Sequence, residues 1–266
     1  FSEDQLGQYE IMLPRRHRSS HLVLMDRSMD GLVAAIAQAV EMIEPLCSYL
    51  PRHVLDLVVE NVARRGIPAD FADPTVLFVN LIGLSESAHP ELSPEENEAI
   101  ATLYCHAFAL INAAVESRGG MLKKVTYHLS SSDTMILFGV PVAHANNAYR
   151  AAKAALAIRE IIQELPLLNI GGQQIKVACK IGMAQGAVFA AELGSPRGRR
   201  EFNVLGDCVN VAARLMGAAD PGSIMITDRL YDQLSSQFLC EELIPLWLKG
   251  KAERVPVCLL HHTLEG

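Results

Sequence analysis

Residues 201–215 read EFNVLGDCVNVAARL, a short strand from Phe202 to Leu205, a Gly206-Asp207 turn, and a helix running on to Met216. On that helix Asn210 and Arg214 stand one turn apart and share a face. An amide and a guanidinium so placed suit a ribose and a negatively charged phosphoryl group. From spacing alone the plainer reading is an exposed arginine and a helix-terminal asparagine.

Upstream the chain alternates strands and helices. Residues 75–79 (TVLFV), followed by Asn80-Leu81-Ile82-Gly83, are continuously apolar enough to predict a strand buried on both faces. Ser93-Pro94-Glu95-Glu96 predicts a helix over 93–117, with Glu96 three residues after the cap. Its face is Ile100, Leu103, Tyr104, Ala107, Leu110 and Ile111, and Arg118-Gly119-Gly120 closes it. Strands over 121–127 and 134–138, joined through the polar stretch 128–133, predict a hairpin. An alanine-rich helix follows over 146–165, then a strand over 174–186 broken at Gly182. A strand over 223–227, a short helix over 228–234 and a strand pair within 238–261 finish the chain. The order βαββαβ is the ferredoxin-like arrangement, an α+β fold with helices on one face of an antiparallel sheet. Many unrelated functions use it.

The N-terminal part reads differently. Residues 1–28 are a polar arm with the basic cluster Arg15-Arg16-His17-Arg18. An amphipathic helix is predicted over 29–46, capped by Asp30, with Leu32, Ile36, Val40, Ile43 and Leu46 on its face. A second is predicted over 51–65, with Pro51 at its first turn, Val54, Leu55, Val58, Val59 and Val62 apolar, and Gly66 as a stop. Ile67 to Pro74, with two prolines, reads as a linker. The expected division is an N-terminal arm and helical linker segment over 1–73 and one domain over 74–266.

Composition narrows the function classes. The 266 residues are 50% hydrophobic and 20% charged, a globular balance. A formal charge of −7 argues against bulk attraction to nucleic acid or to an anionic membrane. The six cysteines are scattered with no CxxC spacing, which predicts buried free thiols in a reducing, cytoplasmic setting. No spanning segment stands out: the apolar stretch 31–50 is interrupted by Glu41, Glu44 and Pro45. The start, Phe1-Ser2-Glu3-Asp4, shows no initiating Met and no signal pattern, as expected of a piece of a longer protein or a processed chain. The motifs GxxxxGK[ST], GxSxG and HExxH are absent.

The stretch 201–215 resembles the GxxVNxAARL pattern of the class III adenylyl/guanylyl cyclases. Residues 138–141 (FGVP), 181–186 (IGMAQG), 193–202 (LGSPRGRREF) and 248–251 (LKGK) resemble that family too, in family order, so the likeness spans residues 74–261. The helix before it, with Leu50-Pro51, is similar to the linker between paired catalytic domains of some bacterial cyclase–ATPase proteins.

The resemblance implies two cyclase domains paired head to tail, with sites at their interface. A complete site has two metal-binding aspartates, a base-selecting pair, and an Asn/Arg pair supplied across the interface. Two metals, Mg or Mn, activate the ribose 3′-hydroxyl and neutralise the triphosphate as pyrophosphate leaves. Asn210 and Arg214 match the ribose-orienting and transition-state residues, and Lys249 matches a triphosphate-binding lysine. Lys124 matches the purine-contacting lysine of adenylyl cyclases, with Asn203 in the place of its usual Asp or Thr partner. The Asn203 carbonyl oxygen is able to accept from an adenine amino group, which favours ATP over GTP. Against these stand plainer readings: a solvated strand lysine, a turn asparagine and a surface charge.

The metal side departs from the pattern. Asn80 stands where the first aspartate belongs and Ser132 where the second belongs. Asp133 is adjacent, but a one-residue offset turns a strand side chain to the other face unless a bulge in 130–133 corrects it. No metal is expected on this chain alone. The implied protein is a C2-like half of an adenylyl cyclase, converting ATP to cyclic AMP and pyrophosphate. A C1-like partner, in the same polypeptide, supplies the aspartates, and a homodimer of this chain has little or no activity. The alternatives are a catalytically inactive cyclase-homology domain that binds a nucleotide or regulator or only dimerises, and an interaction module using the N-terminal helices.

Overall fold

A computed structural model describes residues 28–47, 49–61, 67–83, 92–128, 131–194 and 200–264. The basic cluster Arg15–Arg18, the stop at Gly66 and residues 195–199 of the LGSPRGRREF stretch lie outside the described residues. The chain divides into two compact units, Phe1–Tyr49 and Leu50–Gly266.

The first unit contains helix α1 (Met29–Cys47). Its cap is Ser28 and not Asp30: Ser28 Oγ accepts from Gly31 N at 3.0 Å, and Asp30 falls in the first turn. Leu32, Val33, Ile36, Val40 and Ile43 are exposed.

The second unit opens with α2 (Arg52–Glu60), shorter than the periodicity predicts. Asn61 ends it, its side-chain amide donating to Leu57 O at 2.9 Å, and residues 62–66 are not described. The expected linker contains a strand, β1 (Asp70–Ala72). Then come β2 (Thr75–Ile82), α3 (Pro94–Glu116), β3 (Gly120–His128), β4 (Ser131–Phe138) and α4 (Asn147–Glu164). The predicted strand over 174–186 is two: β5 (Leu168–Ile170) pairs with β6 (Gln173–Ile175), and β7 (Ala178–Gln185) runs unbroken through Gly182. Next are β8 (Val188–Gly194), β9 (Arg200–Leu205) and α5 (Asp207–Ala218). β10 (Ile224–Thr227), α6 (Asp228–Leu234), β11 (Phe238–Glu242) and β12 (Val257–Thr263) complete the unit.

The main sheet has the order β11-β12-β10-β7-β2-β4-β3. Within it, β2-α3-β3-β4-α4-β7 is the expected βαββαβ core, and its adjacent strands are antiparallel. β10 extends it by pairing parallel with β7, so the sheet is mixed. A smaller sheet, β1-β8-β9, uses the strand found inside the expected linker.

Helices occupy both faces, not one. β2 shows why: Leu77, Val79 and Leu81 pack with Ile111 and Val115 of α3 and Ile158 and Ile162 of α4. The alternate residue Val76 packs with Leu137, Ala184 and Val211, Ala212 and Leu215 of α5. The second face is set by one glycine. A Cβ at Gly182 of β7 would stand 2.2 Å from Ala212 O and from Met216 N, so only glycine lets α5 lie this close to the sheet.

α3 has the predicted capping box. Ser93 Oγ accepts from Glu96 N at 3.2 Å, and Ser93 N donates to Glu96 Oε2 at 2.8 Å. By length and composition α3 is apolar enough to cross a membrane, which the reading of the sequence passed over. One stripe of it, Leu103, Ala107, Ile111, Ala114 and Val115, is buried in the protein.

Candidate functional site

Strand register decides which side chains meet. β2 and β4 pair Phe78 with Met135, Val79 with Thr134, Asn80 with Asp133 and Leu81 with Ser132. Asn80 and Asp133 therefore share the face that carries α5, while Ser132 shares the face of Leu81 and is buried beneath the other helices. The one-residue offset thus works the other way from the expectation: Asp133, not Ser132, stands beside Asn80. No bulge at 131–133 is needed, because the pairing of β3 with β4 continues to His128 and Ser131. The stretch expected as a polar connection is mostly strand.

The bulge lies on β3, between Leu122 and Lys124. It inserts Lys123 as an extra residue and lets two successive lysines line the same surface. Lys123 Nζ pairs with Glu201 Oε1 of β9 at 2.7 Å and is almost fully buried. Lys124, opposite Met135, is exposed and reaches a cavity of about 430 Å³. Thr126, Asp133, Asn203, Phe78 and Met135 line that cavity with it. Lys124 and Asn203, though 79 positions apart by number, are brought together as the resemblance implies. Asn203 Oδ1, the expected acceptor for an adenine amino group, accepts from Val204 N at 2.9 Å. A carbonyl oxygen has a second lone pair, so it remains able to accept from a base.

Asn210 and Arg214 lie on α5 as the spacing predicts, Asn210 exposed and Arg214 half-buried. The loop 248–251 lies against Arg214: a Cβ at Gly250 would be 3.5 Å from its Nη2. Lys251 ties that loop to the helix start by an ion pair with Asp207. Leu248 is buried under the loop and Lys249 is exposed. Asn210, Arg214 and Lys249 do not line the Lys124 cavity, although Val209 of the same helix does. The chain therefore presents two groups of candidate residues side by side.

Sequence reasoning missed Thr126 and the Lys123–Glu201 pair. Strand alternation from Lys124 would have found Thr126. Nothing in the sequence announces an ion pair whose partners are 78 residues apart and which depends on a bulge.

The residues at Asn80 and Asp133 do not fit a divalent cation bridged by two carboxylates. Asn80 brings no charge, and its Nδ2 donates to Asp133 Oδ1 at 2.5 Å, engaging an oxygen a metal would need. Nor does Cys208, at the start of α5, offer a nucleophile. Burial pushes its thiol up to about 11, Asp73 and Asp207 add to the shift, and Sγ donates to Gly186 O at 3.3 Å. All six cysteines are free: Cys179, Cys208 and Cys258 are buried as expected, while Cys105 is exposed.

Residues 75–261, well over half of the chain, match the family model of the adenylate and guanylate cyclase catalytic domain. An adenylate cyclase of Mycobacterium tuberculosis (strain H37Rv) is 29% identical over 210 residues, covering 77% of this chain and 43% of that protein. A receptor-type guanylate cyclase of Caenorhabditis elegans is 25% identical over 229 residues, 83% of this chain and 18% of that protein. The chain thus spans less than half the length of these relatives. Among solved structures, the adenylyl cyclase CyaB from P. aeruginosa superposes with a TM-score of 0.63 at 21% identity, covering 73% of this chain and 96% of that one. The guanylate cyclase domain of RhGC from Catenaria anguillulae, in complex with GTP, gives 0.58 at 22% identity, covering 73% and 99%. At such identities the structural likeness is one of fold.

Proposed function

The chain belongs to the adenylate and guanylate cyclase catalytic-domain family, and from that premise we propose that it is the C2-like half of a class III adenylyl cyclase. It contributes base, ribose and triphosphate contacts at a dimer interface for conversion of ATP to cyclic AMP and pyrophosphate. A C1-like domain, in the same polypeptide, contributes the two aspartates and with them Mg or Mn. Nucleic acid and membrane play no part in this segment, whose setting is the cytoplasm.

The observation that carries the reading is a division among the residues on the α5 side of the main sheet. The purine pair Lys124 and Asn203 shares a cavity, and Asn210 and Arg214 share a helix face, while the first metal position holds Asn80, engaged with Asp133. In this scheme Lys124 donates to a purine ring nitrogen and Asn203 accepts from the exocyclic amine. Asn210 orients the ribose so that its 3′-oxygen faces the α-phosphorus. That oxygen gives its proton to solvent water as it forms the new bond to the α-phosphorus. The bond from the α-phosphorus to the bridging oxygen breaks, its electron pair leaving with pyrophosphate. Arg214 stabilises the charge that builds on the transferring group, and Lys249 holds the departing pyrophosphate. The metals supply nucleophile activation and charge neutralisation when a partner holds them.

The test is reconstitution. The chain mixed with a C1-like cyclase domain and ATP with Mn²⁺ is expected to yield cyclic AMP, and the chain alone is expected to yield none. Absence of product from the mixture would sink the catalytic reading, and faster turnover of GTP than of ATP would sink the base assignment. The hydrogen bond between Asn80 and Asp133 favours one other reading, an inactive homology domain whose cavity is settled without a cation. ATP binding measured in EDTA, with no product in any pairing, is the outcome that reading predicts.

A further inference from the structure

On the sheet face remote from α5, the end of α3 and the first two turns of α4 line a second, open cavity of about 580 Å³. Ser117, Arg118, Asn146, Tyr149, Arg150 and Lys153 line it. Three of these are half-buried cations, in a chain with 30 acidic against 23 basic residues. Among the described residues, no carboxylate forms an ion pair with any of the three. None of the lining residues is shared with the Lys124 cavity.

The plain account is that the two arginines cap α3. Arg118 Nη1 donates to Ala114 O at 2.9 Å, and Arg150 Nη1 donates to Arg118 O at 3.1 Å. That account covers one nitrogen of each guanidinium, and each carries five N–H donors. It does not cover Lys153, whose Nζ stands 5.9 Å from the centre of the Tyr149 ring. Lys153 falls four residues after Tyr149 and three after Arg150, so α4 gathers these three on one face, just after its N-cap residue Asn146. The first turn of α4 has no acidic residue, and no side-chain cap takes up its N–H groups. Three cations lining one cavity offer an anion several charge-assisted donors at once.

We infer that this cavity binds a small soluble anion carrying two or more phosphate groups. Two planar guanidinium forks match phosphate oxygens, and a third cation on a cavity this size exceeds the needs of a single phosphate. The site is separate from the substrate contacts, on the opposite face of the sheet.

The experiment is calorimetric titration of the chain with pyrophosphate and with inorganic phosphate, in EDTA. It uses the Arg214→Ala/Lys249→Ala background, which removes the anion contacts of the proposed substrate side. One pyrophosphate per chain is expected, with inorganic phosphate weaker by about tenfold. Lys153→Glu, at a position that caps no helix, is expected to weaken pyrophosphate by about tenfold or more with the circular-dichroism spectrum unchanged. Arg150→Gln should weaken it similarly. No binding at about 1 mM pyrophosphate, or unchanged affinity in Lys153→Glu, would overturn the inference. Equal affinity for inorganic phosphate would overturn the requirement for two phosphates.

Discussion

Asn80 of β2 and Asp133 of β4 are direct cross-strand partners, and the Asn80 amide donates to the Asp133 carboxylate at 2.5 Å. On the proposed reading, Asn80 stands at the first metal position.

Asn80→Asp is therefore expected to do two things. Without cations it sets like charges opposite one another and lowers stability by about 1 kcal/mol. With Mn²⁺ present, the two carboxylates gain a shared ligand and the loss reverses. Thermal unfolding in EDTA and in MnCl₂ reads both, and a variant indifferent to Mn²⁺ would show that the pair cannot be converted.

Gly182→Ala should be costly. The new methyl meets backbone atoms of α5, which cannot rotate away, so a loss of about 3 kcal/mol is expected in urea unfolding. Gly217→Ala is the matched control. It lies within α5 with nothing within 4 Å of the added carbon, and helix propensity predicts a gain of about 0.5–1 kcal/mol.

In the reconstituted pair, Arg214→Ala and Lys124→Ala should separate kinetically. Loss of Arg214 is expected to lower kcat by about 100-fold with little change in KM. Loss of Lys124, an exposed contact to the ground-state base, is expected to raise KM by about tenfold. The reverse pattern would exchange their roles.

Alkaline pH should weaken the fold through Cys179. Burial raises its thiol from 9.0 to about 11, against a smaller lowering by Arg159. The folded state thus keeps a proton that the unfolded state releases. Stability from this group is complete below about 9 and declines as pH rises toward 11, by about 1.4 kcal/mol per pH unit. Burial pushes the thiols of Cys208 and Cys258 up to about 11 as well. The urea midpoint followed from pH 7 to pH 10.5 should therefore fall in the upper range, and Cys179→Ala should make that fall shallower without abolishing it.

Much of this was legible from local pattern. The capping box at Ser93 and Glu96, the buried run of β2, and the shared face of Asn210 and Arg214 each depend on residues within one or two turns. What was not legible depends on distant partners. β1 carries two nearby prolines and reads as linker, yet Phe71 pairs with Phe189, 118 positions later. The placement of Asp133 rather than Ser132 beside Asn80 is a matter of register, which counting back along one strand from Phe138 does not supply. Likewise the bulge at Lys123 is visible only once β3 lies against β4.

The parallel pairing of β7 with β10 has a consequence for the order in which the molecule comes together. β8, β9 and α5 all lie in the chain between those neighbours, so no hairpin turn brings Ile181 to Ile224. That closure spans a long loop and carries its entropy cost before any contact repays it, whereas β3 and β4 pair as far as His128 and Ser131, three positions apart. During synthesis the hairpin is available early, and α5 finds β7 and β2, the strands it packs on, already made; what waits for residues beyond Ser223 is the sheet edge of β10, β12 and β11. The helix bearing Asn210 and Arg214 thus has its support before the sheet is complete, and chain ends cut before Ile224 would leave β7 as an unpaired edge while sparing the strands that carry Lys124 and Asp133.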